Sequence, residues 1–119
     1  MPNPIVHFEI NGPKGQGQAI QDFYKNLFGW AVNADNPMNY GFVEPQGAGI
    51  GGGITEGEHP MVTVYIEVDD PEAYLNKVQQ AGGKTLVPVT VIPDMVTFAL
   101  FADPIGNAIG LVKSEEHAH

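Results

Sequence analysis

The stretch Pro4-Ile5-Val6-His7-Phe8-Glu9-Ile10 decides how this chain is read, because Met61-Val62-Thr63-Val64-Tyr65-Ile66-Glu67-Val68 echoes it half a chain later. In both, apolar and polar-capable side chains alternate, the period-2 pattern of a β-strand with one buried face. Val6, Phe8 and Ile10 are expected on that face of the first strand, and Val64, Ile66 and Val68 on that of the second. His7 and Glu9, with Tyr65 and Glu67, then fall on the opposite faces. These four are the candidate catalytic side chains.

Working outward, each strand leads into the same series of elements. After the loop from Asn11 to Gly17, Ile20, Phe23, Tyr24 and Leu27 stand at i, i+3, i+4 and i+7 and predict a helix with one apolar stripe. Gly29 suits a left-handed C-terminal cap. Strands are expected over residues 30–33 and 39–44. The glycine-rich run from Gly47 to Gly53, anchored by Ile50 and Ile54, reads as a further strand that admits a ligand or another backbone at close range. Thr55 to Pro60 reads as a polar linker. In the second half Asp70 is a good N-cap, Pro71 suits the first helical position, and Tyr74, Leu75, Val78 and Ala81 form the stripe before Gly82. Extended segments follow at 85–87 and 89–92, with Pro88 marking an edge or a bulge. Strands are expected over 95–102 and 108–112, joined by the tight turn Asp103-Pro104-Ile105-Gly106-Asn107. Residues 114–119 read as a frayed tail.

The spacing supports a duplication. His7 and Gly51 lie 44 residues apart, and Tyr65 and Gly110 lie 45 apart. The helix-ending glycine comes 22 residues after His7 but 17 after Tyr65, a difference that the Gly12 to Gly17 loop absorbs. The expected fold is α+β: paired βαβββ modules, about 4–54 and 61–113, forming one half-open cup within a single domain. By strand parity the cup receives His7, Glu9, Tyr65 and Glu67.

Composition bounds the function. A chain of 119 residues with 43% hydrophobic and 16% charged residues, 15 Gly and 10 Pro is globular and turn-rich. Five Lys/Arg against 14 Asp/Glu give a net charge of −9, which repels phosphate backbones and argues against nucleic acid or an anionic membrane as partner. A cationic or neutral small molecule fits better. With no Cys there is no thiolate nucleophile and no cysteine zinc site. Neither a signal-peptide pattern nor an apolar run near ~20 residues is present, so a soluble cytoplasmic protein is expected.

The segments Val6 to Ile10, Phe23-Tyr24-Lys25-Asn26-Leu27-Phe28-Gly29-Trp30 and Phe101 to Asn107, in this order, resemble the glyoxalase/bleomycin-resistance/dioxygenase superfamily, the vicinal oxygen chelate fold. Gly49 to Ile54 is similar to its small glyoxalase-like members. The resemblance implies paired βαβββ modules, a cup open to a ligand and a homodimer. In metal-using members one His or Glu comes from the first strand of each module and one carboxylate from the last. Carried over, these positions are His7, Gly51 or Gly53, Tyr65 and Gly110. Only His7 is a good ligand, so no metal and no other cofactor is expected there. A displaced divalent site built from His7, Glu9 and Glu67 is the less favoured alternative.

Each candidate has a plainer reading beside the functional one. His7 reads as a base or substrate anchor, or as a remnant of the ligand set bonded within the cup. Glu9 and Glu67 read as a carboxylate pair that splits into acid and base if close, or as solvated strand-end groups. Tyr65 reads as a donor to a substrate oxygen or as a packed ring. Trp30, Tyr40 and Phe98 are candidates to line an apolar substrate pocket, with core packing the competing role. His59 reads as an exposed linker residue, and His117 and His119 as tail residues able to collect adventitious metal. Two functions follow: a module that binds a small molecule in the cup or at a dimer seam, or a metal-independent isomerase or lyase using a Glu/His acid-base pair.

Overall fold

A computed structural model describes residues 2–114. Eight strands and two helices appear among these residues, as β1 (Ile5–Gly12), α1 (Gly17–Phe28), β2 (Val32–Asn33), β3 (Gly41–Val43), β4 (Gly51–Glu56), β5 (Met61–Val68), α2 (Pro71–Gln80), β6 (Lys84–Ile92), β7 (Val96–Ala102) and β8 (Ala108–Lys113). The series βαβββ therefore occurs twice, and the fold class is α+β as expected. The chain divides into two compact units. Val6–Thr63 form the first module, and Val64 onward, together with the first residues up to Ile5, form the second. Of the expected tail 114–119, Ser114 donates its N–H to Val68 O at 2.8 Å, while residues 115–119, with His117 and His119, lie outside the described residues.

In the first module the strand order is β2-β3-β4-β1. β1 runs parallel to β4, while β4, β3 and β2 are antiparallel neighbours. The second module repeats this as β5-β8-β7-β6, with β5 parallel to β8. The repeat extends to register. His7 stands opposite Gly51 and Tyr65 opposite Gly110, the pairs that the two sequence spacings single out.

The second module has the conventional core. Val68, Leu75, Ala99 and Leu111 are buried together, with Ile66, Tyr74, Val89 and Phe101 packed against them. Burying a side chain such as Leu75 contributes roughly 1.5–3 kcal/mol. α2 starts as expected: Asp70 Oδ1 accepts from Ala73 N at 3.3 Å and Pro71 is the first helical residue. Pro88 falls within one continuous β6 rather than between two strands. The β6–β7 register shifts between Thr85 and Val87 and again between Val87 and Thr90, the irregularity expected of a strand proline.

The first module departs from expectation in α1. The helix and its Gly29 cap are present, with Gly29 at φ 71° and its N–H bonded to Lys25 O. Only half of the apolar stripe turns inward, however: Ile20 and Tyr24 are half-buried, but Phe23 is 54% and Leu27 61% exposed, while Gln21 is 5% exposed. Periodicity marks which residues share a helix face. It does not say that the face is covered, and here a buried amide wins the inward position by bonding to backbone carbonyls. Boundaries also shift: the strands expected over 30–33 and 39–44 shorten to Val32–Asn33 and Gly41–Val43. Residues 47–50 form a turn, and β4 begins at Gly51 and continues through Thr55 and Glu56, which leaves only residues 57–60 of the expected linker.

Candidate functional site centred on Tyr40

The first module gathers three of the candidate residues around one hydroxyl. His7 and Glu9 lie two residues apart on one face of β1, opposite Gly51 and Gly53 of β4. Tyr40, just before β3, lies over Gly53, while Gly51 is approached by Val43 O and Pro45. A Cβ on Gly53 would fall on the Tyr40 ring, so only glycine leaves room for it. Tyr40 Oη donates to Glu9 Oε2 at 2.8 Å and lies 2.9 Å from His7 Nε2. A phenol carries one proton. Since that proton goes to Glu9, His7 Nε2 must carry the proton of its own bond to Tyr40, and the chain runs from His7 through Tyr40 to Glu9. The imidazole and phenol rings are nearly parallel, at 19° and 6.3 Å between centroids.

Burial removes water from His7 and pushes its pKa below the ordinary 6.5. The neutral imidazole is thereby favoured, consistent with a ring committed to a single tautomer. The unfolded chain then binds a proton more readily than the folded one. This contribution to stability is present above pH 6.5 and is lost as pH falls from there through the lower pKa of the folded state.

Two amides that sequence reasoning passed over hold Tyr40 in place. Asn36 Oδ1 accepts from Met38 N at 3.2 Å and from Tyr40 N at 2.9 Å, and its Nδ2 donates to Tyr40 O at 2.8 Å. Gln21 Nε2 reaches from α1 to Asn39 O at 3.1 Å and Ile54 O at 2.8 Å. A Cβ on Gly41 would meet this amide at 2.8 Å, so Gly41 makes room for the Gln21 side chain. The only available signal was the Asn36-Pro37-Met38-Asn39 turn composition, which says that the chain turns but not what the turn presents.

The remaining candidates are distributed elsewhere. Trp30 packs with Phe8, Tyr24 and Phe28, and Phe8 points to the face of β1 away from His7 and Glu9. In the second module Tyr65 is 8% exposed, and its ring occupies the place where a Gly110 side chain would project. Glu67 pairs in register with Val112, which in turn pairs with Phe98, so Glu67 and Phe98 share a face of that sheet. The Glu67 amide donates to Pro4 O at 2.9 Å. His59 Nδ1 lies 3.1 Å from Pro60 O in an exposed segment.

The positions that carry metal ligands in the superfamily do not fit an ion. Gly51 and Gly110 have no side-chain donor, the seat beside Gly53 is filled by Tyr40, and that beside Gly110 is filled by Tyr65. No group of three or more His, Asp or Glu suited to a metal occurs among the described residues. No described helix is long and apolar enough to cross a membrane.

Duplicated βαβββ modules with first and last strands paired in parallel define the class. The chain belongs to the Glyoxalase/Bleomycin resistance protein/Dioxygenase superfamily, whose model matches residues 5–111. Among its relatives, the glyoxylase-named protein CFP32 of Mycobacterium bovis is 33% identical over 110 residues, covering 83% of this chain and 42% of that protein. The anthracycline biosynthesis protein DnrV of Streptomyces peucetius is 27% identical over 130 residues, covering 92% of this chain and 46% of its own length. The chain thus spans less than half the length of these curated relatives. A hypothetical protein from Bacillus halodurans, BH1468, shares the fold at a TM-score of 0.68 and 15% identity, over 100% of this chain and 99% of that one.

Proposed function

We propose that this glyoxalase-like chain binds a small organic molecule at the His7–Tyr40–Glu9 chain and does so without a metal ion. One observation carries the reading: a single hydroxyl, Tyr40 Oη, is hydrogen-bonded to both polar side chains that β1 presents on that face. Such a chain holds donors and acceptors in fixed positions, which favours recognition of a polar group over general apolar contact. The names of the relatives, a glyoxylase and an anthracycline biosynthesis protein, support a small organic ligand. The donor-poor ligand positions support the absence of an ion.

A second reading, a metal-independent isomerase or lyase, is favoured by the same chain, since a carboxylate, a phenol and a neutral imidazole are the parts of an acid-base device. In it Glu9 takes a proton beside a substrate carbonyl and the Tyr40 hydroxyl turns to the resulting oxyanion.

Thermal-shift screening of small carbonyl compounds and amines, with and without chelator, tests both. A hit is expected to keep its affinity in chelator. Tyr40→Phe is expected to weaken it on the order of tenfold, the worth of one hydrogen bond in a partly dry site. Loss of binding in chelator would contradict the metal-free reading. If Glu9→Gln retains affinity but abolishes turnover, the enzyme reading replaces simple binding.

A further inference from the structure

The row of side chains on β1 does not end at Glu9. Asn11 is the next residue on that face, opposite Thr55 of β4. Its Oδ1 is buried and has no hydrogen-bond partner among the described residues. Buried acceptors are almost always satisfied, so an orphan of this kind calls for a bound group that donates to it. Its neighbour in the row is a carboxylate, and residues i and i+2 of a strand lie about 6.6 Å apart along the chain. One tetrahedral nitrogen donating two N–H···O bonds places its acceptors about 4.7 Å apart, a separation that the oxygens of two such neighbouring side chains reach by leaning toward each other along the row. A carboxylate and an amide oxygen are both acceptors, so the group that joins them must be a donor. The −9 charge of the chain favours a cation over an anion at any such position.

We propose that Glu9 and Asn11 form a subsite for a protonated amine, so that the ligand of the Tyr40 centre carries an ammonium group. This rests on the small-molecule reading above and narrows it to a class. The ammonium donates to Glu9 and to Asn11 Oδ1, while the His7–Tyr40 link keeps Glu9 turned along the row. Recognition of this kind involves charge and two directional bonds, and no bond is made or broken.

The test titrates the full ¹⁵N-labelled chain with benzylammonium chloride, benzyl alcohol and sodium benzoate at one ionic strength, reading the Asn11 side-chain amide and the His7 ring. Benzylammonium is expected to shift both signals saturably and to bind at least about fivefold tighter than benzyl alcohol, in line with a charge-assisted hydrogen bond. Asn11→Leu, which keeps the volume and removes the acceptor, is expected to reduce that affinity by about fivefold with the rest of the spectrum retained. Asn11→Asp, which restores an acceptor, is expected to recover it. Equal binding of benzyl alcohol, or preference for benzoate as a reversed Asn11 amide would show, overturns the ammonium subsite while leaving the small-molecule reading standing. If none of the three probes moves either signal, the subsite is likewise rejected, and the broader screen with Tyr40→Phe decides the reading on which it rests.

Discussion

Gly53→Ala is expected to expel Tyr40 from the site and to cost more than an ordinary surface change. The added Cβ would overlap the Tyr40 ring, and Gly53 lies in β4 between β1 and β3, so the backbone has little freedom to retreat. Overpacking of this kind costs about 1–3 kcal/mol. The hydroxyl that links His7 to Glu9 would move with the ring. Denaturant unfolding should show the loss of stability, and ligand affinity should fall at least as far as in Tyr40→Phe. The double variant Gly53→Ala with Tyr40→Ala should regain much of the stability, because the clash is gone, but none of the affinity. If Gly53→Ala alone is neutral in both assays, Tyr40 does not depend on its glycine seat.

Gln21→Leu is the second large effect. The change puts a good helix former with more apolar surface on α1, so a reading from periodicity alone expects stabilisation. The structure predicts the opposite. The amide nitrogen serves two carbonyls, Asn39 O and Ile54 O, and removing it leaves both acceptors without that donor. A buried group left unsatisfied costs about 1–3 kcal/mol, so a loss on the order of 2 kcal/mol or more is expected. Because Asn39 precedes Tyr40, with Asn39 itself at φ 54°, the loop presenting the hydroxyl should loosen too. By comparison Phe23→Ala, on the exposed side of the same helix, should change stability little. Equal or higher stability of Gln21→Leu would show that this amide is not what seats α1.

The contrast between these helix residues shows what could be read from the chain in advance. Alternation over Val6–Ile10 and Val64–Val68, and the near-equal offsets of 44 and 45 residues to Gly51 and Gly110, were enough to predict two βαβββ modules, because a duplicated unit repeats its spacing; the parallel pairing of first and last strands was not legible in them. Half of the present site, His7 and Glu9, was legible for the same reason. Its centre was less so. Tyr40 appeared only as an apolar pocket candidate, since nothing local states that a loop residue 33 positions after His7 returns to its imidazole. Asn36 signalled only a turn, and Gln21 carried no signal at all. Their roles consist of bonds to backbone atoms distant in sequence, and periodicity does not encode such bonds. The glycines were legible as places of close approach, but what approaches was not: at Gly53 it is Tyr40, and at Gly110 it is Tyr65.

The Tyr40-centred site requires His7 to be a neutral donor to Tyr40 rather than a metal ligand, and the ¹⁵N spectrum of the His7 imidazole tests this most directly. Recorded across a pH titration, with and without one equivalent of zinc, it should show Nε2 protonated and Nδ1 unprotonated in the neutral ring, with titration centred below 6.5. Zinc should leave both nitrogens where they were. A ring protonated at Nδ1, or one whose Nε2 signal moves stoichiometrically on adding zinc, would contradict the Tyr40-centred site and restore His7 to the role of a metal ligand.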